Sequence, residues 1–131
     1  KLDFISGCVD YIVSRSPEIV TEYREKIYKK VNELLGNTQI DEAVLATEIT
    51  MYADKVCVDE EMVRLRSHID NMRQVLDSTS SVGRKLDFIA QELNREANTT
   101  LSKSNDIALS NKAIDLKTEI EKIREQIQNI E

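Results

Sequence analysis

The sequence predicts an all-α fold, a bundle of about five to six long helices with a coiled-coil-like C-terminal helix. Three observations predict it. Chain breakers are scarce, with three glycines and one proline in 131 residues, so long helices and few loops are expected. Apolar residues return every three to four positions through most of the chain, which is the helical period. No stretch shows the strict alternation of a half-buried strand. The length suits a single helical domain, 1–131, with a modest core.

The elements follow in order. Leu2 to Arg15 is weakly amphipathic through Leu2, Ile5, Val9, Ile12 and Val13. Ser16-Pro17-Glu18 reads as a helix start: an oxygen-bearing cap, proline at the first helical position, an acid in the first turn. The helix it opens reaches about Leu35, with Val20, Tyr23, Ile27, Val31 and Leu34 as its stripe and Gly36 as its stop. Thr38 can cap a third helix that turns Ile40, Val44, Ile49, Tyr52, Ala53 and Val56 inward. Asp59 can cap a fourth, carrying Met62, Leu65, Ile69, Met72 and Leu76, which Ser78–Ser81 breaks. A fifth starts near Val82 and carries Leu86, Ile89, Leu93, Ala97 and Thr100 on one face. Ser102–Asp106 is expected to interrupt it, because Ser, Asn and Asp offer the backbone competing hydrogen bonds. The last helix keeps a 4-3-4-3-4-3 rhythm through Leu109, Ala113, Leu116, Ile120, Ile123, Ile127 and Ile130. That is the seam of a short coiled coil, which would pack along another helix of this chain or of a sister subunit.

Composition narrows the function classes. No apolar run approaches the length of a membrane span. Cys8 and Cys57 have no CxxC context, so two reduced thiols packed as small apolar residues are expected. No nucleotide loop, zinc ligand set or Ser/His/Asp arrangement is present. The net charge of −6 argues against a general nucleic-acid binder, but the charge is unevenly spread. Residues 64–85 carry Arg64, Arg66, Arg73, Arg84 and Lys85 against Asp70 and Asp77, a local balance of +3 that leaves −9 elsewhere. An acidic chain thus carries one basic island, and phosphate attraction would be local.

Beside the island lies the segment richest in chemistry, Gly83–Asp106. It mixes charges, amides and hydroxyls where a plain solvated helix would show Glu and Lys. On a helical wheel Arg84, Gln91, Arg95, Asn98 and Ser102 point away from the apolar stripe, and Phe88 lies with them. An outward phenylalanine suggests a face covered by another helix, a subunit or a nucleobase. Glu96 lies nearest the stripe, and a half-buried carboxylate needs a cation, a metal or a proton. Glu92 is one turn away, so Glu92 and Glu96 could converge on one divalent ion. The plainer alternative pairs Glu92 with Lys85 or Arg95, and Glu96 with Lys103. His68, the only histidine, shares a flank with Arg64 and Asn71 and has the side chain best matched to proton transfer near neutral pH. Asn94, Asn98 and Asn105 could instead belong to a buried polar network that fixes helix register in an oligomer.

GRKLDFIAQELNREANTTLSKSND, the terminal EIEKIREQIQNIE, ADKVCVDEEMVRLRSHIDNMRQVL and SPEIVTEYREKIYKKVNELLG occur in an order that resembles the C-terminal region of the YicC family of bacterial endoribonucleases. The resemblance runs from about Ser14 to Glu131 and is loose before that. The family's N-terminal domain has no counterpart here and Lys1 is not an initiating Met, so a C-terminal fragment of a larger protein is expected. The resemblance implies cleavage of RNA phosphodiesters, assisted by Mg²⁺ or Mn²⁺, by a homo-oligomer (a hexamer is one candidate for the full-length protein) in the bacterial cytoplasm, away from membranes. Carried onto this chain, it selects His68, Glu92, Arg95 and Glu96 as catalytic candidates, and Arg64, Arg84, Lys85 and Lys103 as phosphate ligands. Glu92 and Glu96 would hold the metal, Arg95 would neutralise charge on the phosphate, and His68 would move the proton. The competing expectation is a non-catalytic oligomerisation or RNA-binding module whose activity needs the absent domain.

Overall fold

The computed structural model describes residues 1–36, 41–77 and 83–130. It is all-α: α1 (Leu2–Leu35), α2 (Glu42–Val56), α3 (Asp59–Leu76), α4 (Gly83–Lys103) and α5 (Ile107–Ile130). The expected bundle of about five to six helices is too large: among the described residues four helices, α1, α3, α4 and α5, build the bundle proper, with α2 outside it.

The excess comes from Ser16-Pro17-Glu18. Instead of opening a helix, the triplet lies inside α1, with Pro17 internal to a 34-residue helix about 51 Å long. Proline deletes one backbone donor there, and the Ser16 hydroxyl binds the Ile12 carbonyl at 2.8 Å. Both halves of α1 have packing partners, α3 on the first and α2 on the second, so tertiary contacts carry the helix through the proline. The local signal for a start and for a tolerated interior proline is the same three residues.

The remaining boundaries have ordinary causes. Gly36, at φ 58°, ends α1 and donates to the Asn32 carbonyl at 3.0 Å. Asp41 caps α2, accepting from the Ala43 and Val44 amides. Thr38, Ile40, Ser78–Ser81 and Val82 lie outside the described residues. Val58 occupies the cap position of α3 in place of Asp59, which instead joins Glu60 and Glu61 as acids in the first turn, where they complement the positive end of the helix dipole. α4 stops at Lys103 and α5 resumes at Ile107, so the interruption at Ser102–Asp106 is observed. Asp106 caps α5 by accepting from the Leu109 amide at 3.0 Å.

Cross-helix pairs set the topology. Asp10 meets Arg66 and Asp3 meets Arg73, so α1 and α3 run antiparallel. Arg64 meets Glu96, Asp87 meets Arg124 and Arg15 meets Asp106, so every neighbouring pair in the ring α1–α3–α4–α5 is antiparallel. The predicted stripes bury as expected: Ile5, Val9 and Ile12; Met62, Leu65, Ile69 and Met72; Leu86, Ile89, Leu93 and Ala97; and Leu109 to Ile127 on the heptad rhythm. The side chain of Ile130 lies outside the described residues. The second half of α1 and α2 form an arm beyond this core. There Tyr23 stacks on Tyr52, with ring centroids 3.7 Å apart, and Leu45 and Ile49 are buried. Val44, expected to point inward, is exposed, as are Leu34 and Leu76. Cys8 is buried in the core, where desolvation raises its thiol pKa; Cys57 is exposed, against expectation.

The candidate nucleic-acid interface at the α3–α4 seam

α3 and α4 form a polar seam along one edge of the bundle. At one end Lys103 Nζ binds Glu61 Oε1 and lies 3.4 Å from the Cys57 carbonyl. One turn along, Arg64 Nε lies 2.9 Å from Glu96 Oε2 and reaches Glu60 at 3.5 Å. Further along, Asn71 and Val75 of α3 face Arg84, Lys85, Phe88 and Ile89 of α4 across a cavity of about 430 Å³. The register is antiparallel, so one turn beyond Arg64 on α3 meets one turn before Glu96 on α4. This sets His68 and Glu92 at the same level of the seam. Both are partly buried. Arg95 is exposed, with Nη1 4.0 Å from Glu92 Oε2.

The seam's carboxylates are its unusual component. Glu61 is 1% exposed and Glu96 is 5% exposed. Each keeps one oxygen, Oε2, without a hydrogen-bond partner among the described residues. For Glu96 that oxygen is the one close to Arg64, so the contact is a charge pair whose N–H does not point at the oxygen. A buried carboxylate is tolerated when a cation answers it. Here Arg64 and Lys103, both half-exposed, do so. Glu96 holds the guanidinium of Arg64 above its ordinary pKa, and Glu61 does the same for the Lys103 ammonium.

The expected site residues are therefore only partly brought together. His68, Glu92, Arg95, Glu96 and Arg64 share the seam, and Arg84 and Lys85 flank its cavity. Lys103 is at its far end but pairs with Glu61, not Glu96. Arg64 and Lys103, expected as phosphate ligands, already answer buried carboxylates. The basic island splits, because Arg66 and Arg73 turn to α1 and its aspartates. The polar segment splits too. Asp87 lies 3.6 Å from Arg124 on α5. Asn105 accepts from the Tyr52 hydroxyl at 2.9 Å. Asn94 is partly buried and Asn98 exposed, so the three asparagines do not form one network within the chain.

Two residues escaped the sequence reading. Glu61 was legible: it sits three after Val58 and four before Leu65, inside the apolar stripe, where a charge is out of place. Arg15 was not. Its Nε and Nη2 grip Asp106 at 3.1 and 2.9 Å, a two-pronged pair, with Glu22 at 2.7 Å and Glu18 at 3.1 Å. This joint ties the start of α5 to the base of the arm, and only the fold brings residues 91 apart together. Arg15 holds the Asp106 carboxyl below the usual range.

For a divalent ion the donor set fits poorly. Glu96 is already answered by Arg64, and no group of three His, Cys, Asp or Glu side chains converges among the described residues. No helix among the described residues is long and apolar enough to cross a membrane.

The family model described as "Endoribonuclease YicC-like, C-terminal" matches residues 12–131. The chain belongs to that family. It is 46% identical over 132 aligned positions to the "Probable endoribonuclease YicC" of Clostridioides difficile and 37% identical over 131 positions to the protein of the same description from Haemophilus influenzae. Each alignment takes in all of this chain but 45% of the relative. The chain thus spans a little under half the length of these curated relatives. Residues 12–131 include the α3–α4 seam of this chain, with the histidine, acids and cations described above.

Proposed function

We propose that the chain is the helical part of an endoribonuclease, and that the α3–α4 seam is the face that meets the RNA phosphodiester. One observation supports the reading: by the register of α3 on α4, His68 is level with Glu92, which Arg95 approaches to 4.0 Å, and Arg84 and Lys85 line the cavity further along the same seam. The imidazole of His68 takes the proton of the attacking hydroxyl, from a ribose or from water. The hydroxyl oxygen bonds to phosphorus as the P–O bond to the departing ribose breaks, and the departing oxygen takes up a proton from the imidazolium or from solvent. Glu92 steadies the imidazolium that results. Arg95 meets the charge that grows on the phosphate, and Arg84 and Lys85 hold its neighbours. Arg64 and Lys103 keep Glu96 and Glu61 neutralised and thereby hold the two helices in register. No step runs through a metal in this reading, and the Mg²⁺ or Mn²⁺ expected at Glu92 and Glu96 is a separate question for the assay. The reading includes an oligomer in the bacterial cytoplasm, where RNA is the available substrate.

The coverage of the relatives favours a second reading. A chain spanning 45% of their length could be an assembly or RNA-binding module whose activity needs the rest of the protein. One experiment separates the two. RNA cleavage is measured for the full-length protein and for this chain, with Mg²⁺, with Mn²⁺ and with EDTA. His68→Ala, Glu92→Gln and Glu96→Gln are then tested in the full-length protein. Lost cleavage with helicity and oligomer mass unchanged supports the seam as the active face. Unchanged cleavage in all three variants sinks it. Loss of oligomer mass in the same variants supports assembly.

A further inference from the structure

Phe88 is 62% exposed on an otherwise well-packed helix. A lone exposed aromatic needs no explanation, but this one is not alone. It lines the cavity between α3 and α4 with Asn71, Val75 and Ile89, and Arg84 and Lys85 stand on the same wall. The cavity thus offers a ring with an apolar floor, an amide that can donate and accept, and two cations. Those are the parts of a nucleotide subsite: a face for a base, a group for its edge, and charges for the phosphates. Position adds to this. Phe88 is one turn from Glu92, and Asn71 is about one turn from His68, so the subsite adjoins the proposed cleavage point at roughly the spacing of one nucleotide (about 5–6 Å along a helix).

We propose that this cavity takes one unpaired base, stacked on Phe88, immediately beside the phosphodiester held at His68. This rests on the seam being the RNA face and goes beyond it by naming the substrate class: single-stranded RNA, or an unpaired nucleotide in a loop or bulge. A base inside a duplex is stacked on its neighbours and cannot lie on the ring. A sister subunit could also cover Phe88, but a protein face there would have to meet Arg84 and Lys85 as well. On an acidic chain, two cations beside an aromatic suit a polyanion better.

The test uses the full-length protein. Binding is measured for a single-stranded oligoribonucleotide and for a duplex of equal length, with 2-aminopurine in the single strand to report stacking. Phe88→Ala should weaken single-strand binding by about five- to a hundred-fold, leave duplex binding unchanged and abolish the change in 2-aminopurine emission. Phe88→Tyr should restore all three. Equal losses for single strand and duplex, or no loss, overturn the subsite. So does a fall in oligomer mass with Phe88→Ala, which would assign the ring to a subunit contact. Arg84→Glu with Lys85→Glu separates the two proposals: if it lowers binding while Phe88→Ala does not, the seam reads phosphates and the stacking site fails alone. If neither set of changes affects RNA binding, the seam itself fails.

Discussion

Two places in this chain pair carboxylates with cations, and they do so in opposite ways. At the joint, Arg15 grips both oxygens of Asp106, and Asp106 also caps α5. Both arms of the Arg15–Asp106 pair are aligned hydrogen bonds, and that pair is complete. At the seam, Glu61 and Glu96 are more deeply buried, yet each keeps an oxygen with no hydrogen bond among the described residues. Their cations reach in from solvent. A complete pair fixes geometry and offers nothing further to bind. At the seam the open oxygens are themselves buried and so offer a ligand no contact; what stands outward there is Arg95, Arg84 and Lys85, with His68 half-buried. In the proposed reading the joint is structure and the seam is where the chemistry occurs.

The largest expected effect tests that division directly. In the full-length protein, His68→Ala should lower RNA cleavage by about 100- to 10,000-fold, measured as kcat/KM with helicity checked by circular dichroism. Arg15→Ala should lower the melting temperature while leaving cleavage within a few-fold. A reversal of the two results would exchange the roles of seam and joint. Leu93 calibrates the scale, since it is fully buried in α4 and belongs to neither region. Leu93→Ala should destabilise the chain by about 2–5 kcal/mol in urea unfolding, and cleavage should follow the folded fraction.

Smaller effects sharpen the comparison. Lys103→Met leaves the buried Glu61 with only the more distant Arg64, 3.9 Å away, and should lower the melting temperature. Adding Glu61→Leu should recover most of the loss, because removing both partners of a buried pair is gentler than removing one. At the joint the expectation concerns pH. Asp106 has a lowered pKa in the fold, so its contribution is fully present above the unfolded carboxyl pKa, about 3.9. That contribution disappears as pH falls through the lower folded value. Melting temperatures of wild type and Asp106→Asn should therefore differ most above about pH 4 and draw together progressively as pH falls below it. A difference that does not shrink at all as the solution is acidified below that point would mean that the carboxylate charge is not what holds the joint.

Much of this was legible in the residues alone. Helical periodicity located the buried stripes of α3, α4 and α5, because in those helices one apolar face is all that packing requires. The burial of Glu96 followed from its angle to the stripe, and the interruption at Ser102–Asp106 followed from its side chains. The misses share a cause. Ser16-Pro17-Glu18 was read as a start because a local signal cannot reveal that α2 and α3 support the helix on both sides. The basic island was read as one patch because proximity in sequence hides that Arg64 and Arg66 point to different neighbours. Val44 was read as inward because helical period alone does not say which of two neighbouring apolar residues meets the partner; in α2 the buried ones are Leu45 and Ile49.

The sequence by itself determined the all-α class, most of the helix faces, the kinship and the list of residues able to do chemistry, since these depend on spacing along one helix. Tertiary structure alone decided which cation answers which carboxylate, and that His68 stands level with Glu92 and Arg15 against Asp106. Those outcomes depend on the register between helices, which many residues set jointly through packing and no local pattern encodes.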